Sequence, residues 1–264
     1  MTLPVHPSGF AALILTAFLA GFVDAVVGGG GLIQLPGLFV VLPAVTPVAT
    51  VLGTNKLVAF AGTAVAACRY GQHLRIDPNV VVPAGLAAFA FSGIGAALVR
   101  FVDPSRFKPV VLLLLVVIAA YTYLQKGFGV PRSSVGAGLS RRQRIVRSAA
   151  FSAAVGFYDG LVGPGTGSLL IFGFTAFLGY EFLAASALAK VVNVLTNIGA
   201  LLTFVTSGHV LWPLALPMAV ANIAGAEAGV RLAILKGSRF IRVFFLVVVG
   251  FMILRFSYEL YLKG

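Results

Sequence analysis

Charge is what this chain has least of. Only 10% of its 264 residues are Asp, Glu, Lys or Arg, against roughly 25% in ordinary soluble domains, and just seven are acidic. With 59% hydrophobic residues and a mean hydropathy of +1.04, the composition excludes a soluble globular domain and reads as an all-α integral membrane protein. The single cysteine, Cys68, excludes an internal disulfide. His6, His73 and His209 are scattered and no metal-type Cys/His spacing occurs, so neither a metal nor a cofactor is expected. There is no HExxH, and GPGTGS falls short of GxSxG; Ser168, its nearest approach to a nucleophile, has no histidine in its segment. No catalytic residue is therefore assigned. The opening MTLPVHPSGF lacks the Lys/Arg of a signal-peptide n-region, so the first apolar run is expected to be retained.

What is present is apolar length, glycine and a positive balance. The net charge of +12 would suggest nucleic acid in a soluble protein. Here the Lys and Arg lie in short segments between apolar runs, which points to membrane topology, with the lipid bilayer as partner and no nucleic acid. Runs of spanning length fall at 8–27, 47–68, 79–101, 109–125, 148–162, 183–206, 211–235 and 241–261. Two shorter pieces, 31–43 and 167–179, each follow a glycine-rich break. The one long polar stretch, 126–147, holds six Lys/Arg and no acid, and is expected to be a cytoplasmic linker between 1–125 and 148–264.

Those two parts resemble each other. GFVDAVVG (21–28) matches GFYDGLVG (156–163) at five of eight positions; NKLV (55–58) is followed by AKVV (189–192), and PSRFKPV (104–110) by GSRFIRV (237–243). The offsets stay between 133 and 135, so the chain holds two internal repeats. Charge counting favours inverted repeats. Inversion puts Arg231, Lys236, Arg239 and Arg242 inside and the uncharged TSGHVL near 206–211 outside. The 100–108 loop, with Arg100, Arg106 and Lys108, then lies outside and argues the other way.

The breaks locate a candidate site. Irregular backbone at membrane depth survives only inside protein or against water. Gly28, Gly29, Gly30 and Gly31 break the first repeat; Gly163, Pro164, Gly165 and Thr166 break the second at the matching place. Paired broken helices are the best sequence pointer to a transporter's binding site, and helix N-termini there would favour an anion. Close helix packing is the bland alternative. Intramembrane charge is costly, which singles out Asp24, Lys56, Asp159, Lys190 and Glu227. Lys56 and Lys190 sit beside Thr54, Asn55, Asn193, Thr196 and Asn197, an oxyanion cradle in composition. Asp24 and Asp159 serve either in proton coupling or as structural partners. Glu227 is either a proton carrier or the partner of Arg231 one turn on.

GFVDAVVGGGGLIQLP followed by PVATVLGTNK, with a variant copy after a basic linker, resembles the TauE/SafE sulfite exporter family of bacterial membrane proteins, over about residues 10 to 258. The resemblance implies a multi-pass protein of the bacterial inner (cell) membrane that moves a small sulfur oxyanion: sulfite, an organosulfonate, or thiosulfate. It places Asp24, Gly28 to Gly31, Pro36 and Gly53 to Lys56 in the family's motif, and Asp159, Gly163 to Gly167 and Lys190 in its second copy. Pro164 and Thr166 depart from the four-glycine pattern, so the half-sites need not be equivalent. A channel-like anion facilitator and an intramembrane enzyme are the alternatives. The anion, the coupling ion and the oligomeric state, a homodimer among the options, are not fixed by sequence.

Overall fold

The structure is a computed structural model describing residues 5–43, 45–101 and 138–263; the run 109–125 and positions 126–137 of the expected linker lie outside it. Among the described residues all regular structure is helical. Eight α-helices follow in order: α1 (Pro7–Val27), α2 (Gly31–Val41), α3 (Val48–His73), α4 (Pro78–Leu98), α5 (Arg141–Leu161), α6 (Thr166–Leu178), α7 (Phe182–Thr206) and α8 (Trp212–Lys263). Five segments are long and apolar enough to cross a bilayer: α1, α3, α4, α7 and the Trp212–Gly237 arm of α8. The chain is a multi-pass membrane protein.

One boundary differs from that expected. The span anticipated from residue 148 begins at Arg141, because Ser140 and Gln143 form a reciprocal capping box, with Gln143 N donating to Ser140 Oγ at 3.2 Å. Arg141, Arg142, Arg144 and Arg147 are thus the first turns of a helix instead of irregular linker. The expected runs 211–235 and 241–261 are the two helical arms of α8, which meet at a break at Gly237 (φ 70, ψ −169). Beyond it Phe240 and Phe244 stack, and Phe244 meets Phe22 of α1 edge-on at 6.0 Å.

The two short helices fold back on their predecessors. Gly30 lies against Ala20 and Asp24, Gly37 against Thr16, and Val41 beside Gly9, so α2 runs antiparallel to α1. Gly173 meets Phe151, and Phe177 packs on the same ring at 5.4 Å, so α6 doubles back on α5. At 11 and 13 residues these helices are about 16 and 20 Å long, roughly half a bilayer.

Glycine contacts set the long-range packing. Gly225 and Gly229 of α8 touch Phe18, Phe22 and Ala25, so α8 lies parallel to α1; Gly156 and Gly160 of α5 touch Ala88 and Ser92, so α5 lies parallel to α4. A Cβ would sit 1.9 Å from a backbone oxygen at both Gly225 and Gly160. These are the close backbone approaches that small residues permit in membrane helices.

Polar contacts group the helix ends. Arg141 Nε donates to Asn79 Oδ1 at 2.9 Å, Arg144 pairs with Asp77 at 3.7 Å, and Arg69 with Glu227 at 2.7 Å. Burial and the nearby Asp77 carboxylate hold the Tyr180 hydroxyl above the usual phenol range, with Arg144 pulling the other way. That end carries Arg69, Arg75, Arg141, Arg142, Arg144, Arg147, Arg231 and Lys236. At the other end Thr50 bonds His209 at 3.1 Å, and segments 5–9, 41–50 and 206–212 hold no Lys or Arg. Two apolar cores, one containing Tyr70, Phe174 and Phe182, the other Leu13, Leu38 and Phe204, are built from both halves of the chain.

Gly28→Ala and Gly167→Ala should each cost at least about 3 kcal/mol, since the new Cβ would lie 2.2 to 2.4 Å from backbone atoms of the other glycine. Gly208→Ala, at φ 75 with open space around it, should cost only about 1–2 kcal/mol of backbone strain. Thermal unfolding of the three variants in detergent gives the ranking; equal losses would show that the glycine contact is not what restricts these positions.

Candidate functional site

The two breaks meet. Helix α1 stops at Gly28 (φ 77), whose N–H donates to Asp24 O at 2.8 Å; α5 gives way to Gly163 (φ 90) and Gly165 (φ 82) before α6. Positive φ favours glycine at each of these turns. Gly28 lies directly against Gly167, Ser168 N donates to Gly28 O at 3.1 Å, and Ser168 Oγ donates to Val27 O at 2.8 Å. Gly31 faces Pro164, with 3.3 Å between its would-be Cβ and the proline Cα. One first-turn N–H of α6 is therefore engaged by the opposite break; the sequence left that terminus open for an anion. Tyrosines serve the other loose carbonyls: Tyr70 OH donates to Ala25 O at 3.0 Å and Tyr158 OH to Pro164 O at 2.7 Å.

Four charges surround this crossing, and they pair between halves. Lys56 Nζ is 2.6 Å from Asp159 Oδ2, with the side chains 4% and 2% exposed. Lys190 Nζ is 2.9 Å from Asp24 Oδ2, at 0% and 15%, and also donates to the Asp24 backbone carbonyl. Each lysine thus neutralises an aspartate from the other half of the chain. Thr166 Oγ1 donates to Asp159 Oδ1 at 2.5 Å, while Thr63 Oγ1 reaches Asp24 Oδ2 at 3.2 Å, so Asp159 is held the more closely.

The remaining candidates divide. Asn55 (4% exposed) and Asn197 (2%) lie on the helices that carry the lysines, and Asn55 Oδ1 and Asn197 Nδ2 are buried without a hydrogen-bond partner. Asn193 Oδ1 accepts from Thr196 Oγ1 at 3.0 Å. Thr54 is otherwise employed: its hydroxyl donates to Thr50 O at 2.7 Å and accepts from Leu211 N at 3.0 Å, which fixes the turn before α8. Gly30 is a packing position, where a Cβ would stand 2.7 Å from Ala20 O and the Asp24 Cβ. Glu227 binds Arg69 at 2.7 Å and Arg231 at 2.8 Å, on a partly exposed face.

Sequence reasoning missed Gln34 and Asn222. Asn222 Nδ2 donates to Ala17 O at 2.9 Å and to Gln34 Oε1 at 3.3 Å, and Gln34 Nε2 reaches Asn55 O at 3.5 Å. Both are buried amides inside apolar runs, the signal that polar residues at membrane depth are costly and employed. Among the described residues no group of three His, Cys, Asp or Glu could hold a metal ion.

Opposed half-helices meeting at buried charge define the architecture of a membrane transporter. The family described as "Sulfite exporter TauE/SafE" matches residues 13–256, and the chain belongs to it. A protein of Sinorhizobium named a probable membrane transporter is 34% identical, over 90% of this chain and 88% of its own length. The Escherichia coli probable membrane transporter YfcA is 32% identical over 97% and 92%, and a Methanocaldococcus jannaschii probable transporter 26% over 83% and 85%. No solved structure matches.

Removing one member of a buried pair strands its partner, at about 3–5 kcal/mol. Double-mutant cycles with Asn and Gln replacements should therefore show couplings of at least about 2 kcal/mol for Asp24 with Lys190 and for Asp159 with Lys56. Asp24 with Lys56, the pair within one repeat, should be near additive. The reverse pattern in thermal unfolding would contradict pairing between halves.

Proposed function

We propose that the protein is a secondary transporter of a small anion, sulfite or an organosulfonate, bound near mid-membrane between the two glycine breaks. The observation that carries this is the pair of buried lysines, Lys56 and Lys190, at the contact of the breaks, with the unpartnered donor Asn197 Nδ2 on the helix that carries Lys190. Ammonium groups and a free amide N–H suit an oxyanion through charge-assisted hydrogen bonds. The sulfur chemistry rests on the family's description alone; the relatives are named only as probable transporters.

The two halves, 1–125 and 148–264, act as inverted repeats on either side of the cytoplasmic stretch 126–147. In support, α1 begins at the end where segments 5–9, 41–50 and 206–212 hold no Lys or Arg, and its counterpart α5 at the basic end; α3 and α7 are opposed in the same way. The positive-inside rule puts the basic end in the cytoplasm of a bacterial cell. Inverted halves that meet at one site are suited to exposing it alternately to the two sides.

Two measurements test this. In a Cys68→Ser background, a cysteine at position 208 should label from outside whole cells and one at 238 should not; the opposite result overturns the orientation. In a thermal-shift screen, sulfite and short alkanesulfonates should stabilise the purified protein. Lys56→Gln or Lys190→Gln should weaken that binding at least tenfold, about 1.4 kcal/mol. Binding unchanged in both variants and in the double variant would remove the lysines from the site.

A further inference from the structure

The charges at the crossing cancel: Lys56 against Asp159, Lys190 against Asp24. An anion entering this region finds no free cation among those four groups. If it joined a lysine while the aspartate stayed ionised, a net negative charge would be buried in low dielectric, a penalty of several kcal/mol. Neutrality is restored when the displaced carboxylate takes a proton.

The two pairs are not equal candidates. Asp159 is 2% exposed, 2.6 Å from Lys56 and 2.5 Å from the Thr166 hydroxyl. Asp24 is 15% exposed, and its contacts to Lys190 and Thr63 are longer, at 2.9 and 3.2 Å. Of the other charged groups at the crossing, Lys56 of α3 is held by Asp159 at 2.6 Å. Helices α2 and α6 contain no ionisable residue, and α7 contributes only Lys190. From α3 come Thr63 and Tyr70, the latter bonded to Ala25 O. On α8 the residues packed on α1 include Asn222, Gly225 and Gly229, while Glu227 is bonded to Arg69 and Arg231.

We propose that the transporter binds one proton with each anion, that the proton goes to the Asp24 carboxylate, and that the anion takes that carboxylate's place on Lys190. The inference rests on the anion-transport reading and adds the coupling ion to it. One O–H bond forms on Asp24, one ion pair replaces another on Lys190, and no electron moves. The bound state carries the same net charge as the empty one, with Lys56 and Asp159 remaining paired. Anion and proton then cross together, and transport of a monovalent anion is electroneutral.

The test uses the full chain in proteoliposomes, with labelled sulfite and a short alkanesulfonate, whose own acid group stays ionised from pH 6 to 8. Alkanesulfonate binding should weaken about tenfold per pH unit over the range in which one proton is taken up with each anion. Uptake should follow an acid-outside pH gradient and ignore a potassium–valinomycin potential. Asp24→Asn should bind the anion with an affinity that no longer changes with pH, and should lose the gradient's drive. If that variant does not fold, proton uptake per alkanesulfonate bound by the wild type, from calorimetry in two buffers, should still equal one. Potential-driven uptake without proton uptake, a requirement for sodium, or a pH dependence that survives in Asp24→Asn would each overturn the proposal and leave anion transport standing. Absence of uptake or binding for both anions would instead remove the anion reading, and this proposal with it.

Discussion

Two buried ion pairs impose the arrangement of everything around them. A lone charge at membrane depth costs several kcal/mol, so Lys56 and Lys190 can be buried only where a carboxylate meets them. Those carboxylates, Asp159 and Asp24, belong to the opposite half of the chain. Each half thus leaves an unpaired lysine and an unpaired aspartate that the other must complete. The helix packing follows the same rule, with α1 parallel to α8 and α4 parallel to α5 through glycine-to-backbone contacts. Neither half encloses a site by itself.

The glycine breaks are the second consequence. The two breaks meet tip to tip, and Gly28 against Gly167 leaves no room for a Cβ on either. The loosened carbonyls are then taken up by Tyr70, Tyr158 and Ser168. Small residues here allow the close packing of the two breaks against each other.

Much of this was legible beforehand. Repeated Asp and Lys at near-constant offset marked the crossing, and glycine followed by a short apolar run marked α2 and α6 to within two residues at each end. Partnership was not legible, because Asp24 with Lys56 and Asp24 with Lys190 fit the same repeat pattern; only the packing of α7 on α1 decides. Thr54 looked like a ligand from its place beside Lys56, yet its hydroxyl holds the turn before α8. Gln34 and Asn222 were passed over, although an amide inside an apolar helix is itself a signal. The start of α5 was misplaced because its basic residues hid a capping box.

The central claim is that the fold is completed between halves and not within them. It is tested most directly by expressing residues 1–125 and 126–264 as separate chains, with an affinity tag on the second. The account predicts that the first half co-purifies with the tagged half, that each is degraded when expressed alone, and that Lys190→Gln in the tagged half sharply reduces the amount recovered. Accumulation of either half alone as a folded, monodisperse protein would contradict it.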